Sequence, residues 1–258
     1  MQHSYLQAFS LDGKIALVTG SVRGLGLEIA SAMAGSGAHV ILNGRNPDSL
    51  AAAVQEIASR GQSVSGLCFD IADPVAVKTA FAAIASAHGR LDILVGNAGT
   101  RNRKPLLGFT DEEIQVMVHA NLGAGYVLAR EAVRLMLPQR SGRLITITSI
   151  AGQIARAGDP VYPGVKQGLT GMMRALAVEY GPMGITSNAI APGGFATEAN
   201  AAAMADARIR DHFAKRTPLG RWGRPHEIAG AAVFLASEAA SYVNGQVLNI
   251  DGGMSIAM

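Results

Sequence analysis

The chain has one cysteine, Cys68, among its 258 residues. That excludes an internal disulfide and a zinc site built on cysteine ligands. Cys68 stands between Leu67 and Phe69, and such apolar neighbours predict a buried strand thiol rather than a nucleophile. Charge is also scarce: charged residues make up 16% and the net charge is +3. No run of Lys or Arg stands out, so nucleic acid is not an expected partner. So low a charge fraction predicts a surface partly covered by other copies of the chain. His3, His39, His88, His119, His212 and His226 are scattered without metal-ligand spacing, and no metal site is expected. No apolar run is long enough to span a membrane. The start, MQHSYLQAFSLDGK, has no basic segment leading into an apolar run, so no signal peptide is read there. With a lone cysteine, this fits a reducing, cytoplasmic compartment.

What is abundant is apolar residues, at 49%, and glycine, with 31. Short apolar runs alternate with longer helical patterns. Strands are expected at 14–19, 38–43, 63–69, 91–95, 143–148, 185–190 and 246–250. Helices are expected at 25–36, 47–60, 74–88, 111–137, 160–180 and near 225–237. Asp73 followed by Pro74 reads as a helix start, and Asp159 as the cap of the helix after it. Fully apolar strands separated by helices mean a parallel sheet covered on both faces. The expected fold class is therefore α/β: a Rossmann-type, doubly wound, parallel seven-stranded sheet. Residues 1–258 read as a single domain with a small lid segment at about 194–216, whose Ala-rich part reads either as a mobile cover or as a plain surface helix.

The first strand runs into Gly20-Ser21-Val22-Arg23-Gly24-Leu25-Gly26. Small residues there let the backbone approach a pyrophosphate, and the following helix N-terminus offers free N–H groups. A glycine-rich stretch is weak evidence alone, but this one lies between a strand and a helix, as a nucleotide loop must. The second strand ends in Asn43-Gly44-Arg45. An NAD site usually places Asp or Glu at that point for the ribose 2′-hydroxyl. Here no acid is present, and Arg45, with Arg23 in the loop, suits a 2′-phosphate. The expected cofactor is NADP(H). Asp70, followed by Ile71, is placed to meet the adenine, to cap the next turn, or both.

At this point the motifs resemble the short-chain dehydrogenase/reductase family over essentially the full chain. The resemblance rests on Gly20/Gly24/Gly26, Asn97-Ala98-Gly99, Asn121, Ser149, Tyr162-x-x-x-Lys166 and Pro192-Gly193, with Ser149 placed 13 residues before Tyr162. Two positions depart from the family pattern: Gly96 replaces an Asn, which would loosen that turn's link to the sheet, and Pro163-Gly164-Val165 fills the space between Tyr162 and Lys166. If the helix starts near Asp159, Pro163 falls in its first turn and need not break it. The resemblance implies a homotetramer. It also implies that Phe195 and Thr197, with Pro192 and Gly193, help hold the cofactor.

Tyr162 and Lys166 are four residues apart and so share a helix face. A free tyrosine has a pKa of about 10. An ammonium about 4 Å away, at an effective dielectric of about 20, favours the phenolate by roughly 4 kcal/mol, or about three pKa units. By resemblance, Tyr162 is the general acid and base, Lys166 lowers its pKa and binds the nicotinamide ribose, and Ser149 polarises the substrate carbonyl. Asn121 is implied to hold the helix backbone and a water serving Lys166. Segments such as Leu42–Asn46, Phe195–Glu198 and Gly220–Gly223 are most similar to the sugar-acid branch of the family, the gluconate 5-dehydrogenase type. Candidate partners for a substrate carboxylate are Arg101, Arg103 and Arg156, on loops past the strand ends, although each also reads as an ordinary solvated arginine. The expected partner is a small polar ketone or alcohol. Alternatives are a 3-oxoacyl-carrier-protein reductase and a non-catalytic NADP(H)-binding protein.

Overall fold

A computed structural model describes residues 5–257. Residues 1–4, which include His3 and the head of the start read above, lie outside the described residues, as does residue 258. The seven strands are β1 (Ile15–Val18), β2 (His39–Gly44), β3 (Val64–Cys68), β4 (Ile93–Gly96), β5 (Gly142–Ile147), β6 (Ile185–Pro192) and β7 (Val247–Ile250). They form one sheet in the order β3-β2-β1-β4-β5-β6-β7, and every pairing is parallel. The helices are α1 (Gly24–Gly35), α2 (Pro47–Ala58), α3 (Pro74–His88), α4 (Asp111–Val118), α5 (Ala124–Met136), α6 (Val161–Tyr180), α7 (Ala201–Ala205), α8 (Ala207–Arg216) and α9 (Ala229–Ala236).

Strand alternation divides the core in two. In β1, Ala16 and Val18 face a cluster with Ile29, Met33, Leu50, Ile57 and Leu235, supplied by α1, α2 and α9. Leu17 faces the opposite cluster, with Phe81, Ile84, Leu128 and Met136 from α3 and α5. This is the period of two of a strand buried on both faces. The order reverses beside β1, where chain crossings diverge to either side, and a crevice opens there at the carboxyl ends of the strands. Among the described residues no helix is long and apolar enough to cross a membrane.

Local signals explain most boundaries. Asp73 accepts hydrogen bonds from the Val75 and Ala76 amides, Pro74 opens α3, and Gly89 closes it in the left-handed region at φ 69°. Thr110 and Glu113 form a reciprocal capping box at the start of α4. Three expectations are corrected. The helix expected at 111–137 is interrupted by a π turn at His119–Gly123; a period count cannot see one surplus residue inside a continuous pattern. Cys68 is exposed rather than buried, because it ends β3 at the sheet edge, with its Sγ 3.5 Å from the Arg45 carbonyl. Asp159 does not cap α6, whose N-cap is Pro160 with no side-chain hydrogen bond; its carboxylate is bound by arginines instead.

Pro163 occupies the first turn of α6, where a missing N–H costs little, and the helix runs unbroken to Tyr180. Gly96 still pairs with Thr146 of β5, so the link to the sheet is kept. The missing side chain leaves space instead: Gly96 borders an internal cavity of about 30 Å³ beside Asn121 and Thr146.

Candidate active site

The nucleotide loop is shaped by contacts that only small residues permit. Gly20 has φ +60°, and a Cβ there would lie 3.0 Å from Ala98. A Cβ on Gly26 would overlap the Gly20 carbonyl oxygen. Three expected cofactor residues turn their side chains inward to hold this shape. Asn43, 2% exposed, accepts from the Gly20 amide at 3.2 Å and donates to the Phe69 carbonyl at 3.0 Å. Ser21 donates to the Val18 carbonyl at 2.7 Å and accepts from the Asn43 amide. Asn97 donates to the carbonyls of Thr19 and Gly20 at 2.9 and 3.0 Å. The Asn43 side-chain amide is thus hydrogen-bonded within the fold. Thr19 is an unforeseen member of the set, its hydroxyl accepting from the amides of Asn97 and Ala98.

Around this loop the remaining cofactor candidates converge. Arg23 is exposed at the N-terminus of α1, beside Leu25, which packs partly against the core. The Thr197 side chain lies 4.0 Å from the position of a Gly24 Cβ, so the lid segment meets the loop. Arg45 is 77% exposed and sits 3.4 Å from Asp70. Asp70 also accepts from the Ala72 amide at 2.9 Å, which is the turn role foreseen for it, while Ile71 is buried. Pro192 ends β6, Gly193 bonds the Ile250 carbonyl, and Phe195 is buried against Gly223.

Beside the loop, α6 presents Tyr162 and Lys166. Lys166 is buried, and its ammonium donates to the Ile147 carbonyl at 2.9 Å and lies 5.6 Å from the centre of the Tyr162 ring. Ser149 stands at the end of β5 and accepts from the Ala151 amide at 3.1 Å. Asn121, in the π turn, donates to the carbonyls of Thr100 and Met117 at 3.0 and 2.8 Å and accepts from the Thr100 amide. A Cβ on Gly99 would overlap the Asn121 amide oxygen and come within 3.8 Å of the Lys166 Nζ. Gly99 thus lets these two side chains approach the β4 loop.

Two of the three candidate arginines, Arg101 and Arg103, gather around one carboxylate. Asp159 is 1% exposed, is ion-paired with Arg101, and is 3.7 Å from the Arg103 Nε. Arg101 lies over the face of Tyr162, its Cζ 4.2 Å from the ring centre. Burial, then Arg101 and Arg156, lower the pKa of Arg103, while Asp159 and Tyr162 raise it. This cluster escaped the sequence reading. Its signal was an acid three residues before Tyr162, amid three arginines and little other charge.

Burial pushes the Tyr162 phenol above its usual pKa; Arg101, a hydrogen bond from Ser149, and Arg103 pull it back, while Asp159 adds to the rise. Among the groups that favour the phenolate, Arg101 has the largest influence. Burial first, then Arg101, brings Lys166 down to about 8. A lysine of about 10.4 when unfolded therefore costs the native state roughly 3 kcal/mol at neutral pH. The cost is complete below pH 8 and fades as pH rises toward about 10.4, where the unfolded lysine also loses its proton. Lys166→Met is expected to raise unfolding stability by about 2–3 kcal/mol at pH 7, allowing for the lost bond to Ile147, and by much less near pH 10. Urea unfolding at both pH values checks this; a destabilised variant at pH 7 would contradict it.

The site's design is that of a Rossmann-type oxidoreductase, and comparison with known proteins agrees. A family model described as enoyl-(acyl carrier protein) reductase matches residues 20–255. The chain belongs to the short-chain dehydrogenase/reductase family. It is 40% identical over 255 residues to gluconate 5-dehydrogenase of Gluconobacter oxydans, covering 99% of this chain and 100% of that one. It is 36% identical over 245 residues to the 3-oxoacyl-[acyl-carrier-protein] reductase FabG of Escherichia coli, covering 95% of this chain and 98% of that one. Among solved structures it is similar to a gluconate 5-dehydrogenase from Burkholderia cenocepacia in complex with NADP and tartrate. That match has a TM-score of 0.95, 36% identity, and covers 99% of this chain and 100% of the other.

Proposed function

We propose that the chain is an NADP(H)-dependent oxidoreductase that interconverts a secondary alcohol and a ketone on a sugar acid of the gluconate/5-keto-gluconate type. The observation that carries this reading is the arginine cluster beside Tyr162: Arg101, Arg103 and Asp159 meet at the same place as the reactive phenol. A neutral substrate needs no such excess of cations, whereas a carboxylate does. The names of the gluconate-type relatives support the same class.

The residues present fit NADP(H). Gly20 and Gly26 leave a cradle that a Cβ would fill. The end of β2 carries no acid, and exposed Arg45 is free to turn toward a 2′-phosphate, with Arg23 nearby. When bound, the cofactor supplies or takes up the hydride. Tyr162 donates its phenolic proton to the ketone oxygen in reduction and recovers one in oxidation. Ser149 donates a hydrogen bond to that oxygen, and Lys166 stabilises the phenolate and holds the nicotinamide ribose. Asn121 fixes the Thr100 backbone and the π turn behind them. Arg103 and Arg156 hold the substrate carboxylate. Residues 194–216 close over the bound pair as a lid on a single domain. The chain works as a cytoplasmic homotetramer, in keeping with half-exposed Tyr126 on α5 and exposed Val178 on α6.

Steady-state rates with NADPH test the substrate. Turnover of 5-keto-gluconate is expected to exceed that of a 3-oxoacyl thioester. The opposite order would move the assignment to acyl-carrier chemistry, as in the FabG-type relatives.

A further inference from the structure

We propose that Arg101, held over the ring of Tyr162 by the buried carboxylate of Asp159, is a positioning residue that stabilises the phenolate form of Tyr162 alongside Lys166. The inference rests on the reading of Tyr162 as the acid and base of the reaction.

Arg101 follows β4 and Asp159 precedes α6, so the pair joins two loops that are 58 residues apart in the chain. A carboxylate 1% exposed is costly to bury unless a cation meets it. Arg101 meets it at Asp159 Oδ2, while the buried Oδ1 of Asp159 has no hydrogen-bond partner. The tether fixes where the guanidinium lies. A planar guanidinium can stack on an aromatic face and bind a carboxylate through its edge at once; an ammonium cannot do both in this geometry.

The charged and polar groups facing Tyr162 are few. From the β4 loop come Arg101 and Arg103; from α6 and its approach come Lys166 and Asp159; from the end of β5 comes Ser149. Arg156 acts on the set through Arg103. The Arg101 guanidinium stands 4.2 Å from the ring centre, against 5.6 Å for the Lys166 ammonium, which is directed to the Ile147 carbonyl. Arg101 is thus the nearer cation to the ring.

This divides labour among the three arginines. Arg101 is committed to Asp159 and the ring, so Arg103 and Arg156 are left for the substrate. It also answers a problem that an acidic substrate creates. A carboxylate bound near the phenol opposes ionisation of that phenol. A fixed cation on the ring offsets the opposition without leaving when the substrate leaves.

The test needs no substrate. The ultraviolet absorbance of tyrosinate is followed against pH with NADP⁺ bound, and the Tyr162→Phe titration is subtracted to isolate Tyr162. Arg101→Met is expected to raise the midpoint by about one pH unit. Arg101→Lys, which keeps a charge near the ring but cannot both stack and hold Asp159, is expected to restore part of that shift. Because Arg101→Met leaves Asp159 unpaired and can unfold the chain, the double variant Arg101→Met/Asp159→Asn removes both charges together. Its midpoint is also expected above the wild-type value, by less than in the single variant. A midpoint unchanged in both Met variants would overturn the proposal. So would an Arg101→Lys shift equal to that of Arg101→Met. Failure of the underlying reading is separate: it would appear as full turnover in Tyr162→Phe, whatever the titration gives.

Discussion

Replacing Tyr162 with Phe is expected to lower kcat by about a hundred- to ten-thousand-fold, the range of a lost general acid or base. The ring remains, so the stacking of Arg101 and the start of α6 are kept; only the hydroxyl is removed. NADPH affinity is expected to change little, since the nucleotide loop is built by Asn43, Ser21 and Asn97 on other elements. Turnover and cofactor binding measured on the same preparation separate the two effects. Activity within a few-fold of wild type would refute Tyr162 as the acid and base. It would also favour a chain that binds NADP(H) without turning it over.

The second large effect concerns Arg45. Arg45→Ala is expected to weaken NADPH binding about ten- to hundred-fold and to leave NADH nearly unaffected. A charge-assisted hydrogen bond is worth about 1.5–3 kcal/mol, and each 1.4 kcal/mol is about tenfold. Asp70 sharpens the loss. It now shares its charge with Arg45 at 3.4 Å, and without that partner its charge would oppose a phosphate bound nearby. Fluorescence titration of each reduced cofactor reads the ratio directly. Equal weakening for both would mean that Arg45 supports the fold of the loop and not the phosphate.

The sheet was legible because its strands are short and apolar on both faces, which leaves no other way to bury them. Ala16, Leu17 and Val18 show why: successive side chains enter opposite cores. The start of α3 was legible too, since Asp73 and Pro74 act on their own backbone. Contacts between distant segments were not. Asp159 looked like a helix cap because a local rule was applied to a residue governed by Arg101, far away in sequence. Cys68 looked buried because its neighbours are apolar, yet β3 is an edge strand and its last residue faces outward. Tyr162, Lys166, Ser149 and Arg101, which the structure brings near one another, were named from residue types, spacing and family resemblance. Which cation lies nearer the ring was not readable, because it depends on a contact between distant segments.

Each residue of a regular helix advances the chain by about 100° around the axis. The π turn at His119–Gly123 carries one residue more than that register allows, so everything after it is rotated. The 13 residues of α5 owe the face they offer the sheet to this turn as well as to their own order. Asn121 sits inside the same turn and grips Thr100 with its amide. The phase of a core helix and the position of the loop bearing Arg101 are therefore set by a single local irregularity, and neither can be adjusted without disturbing the other.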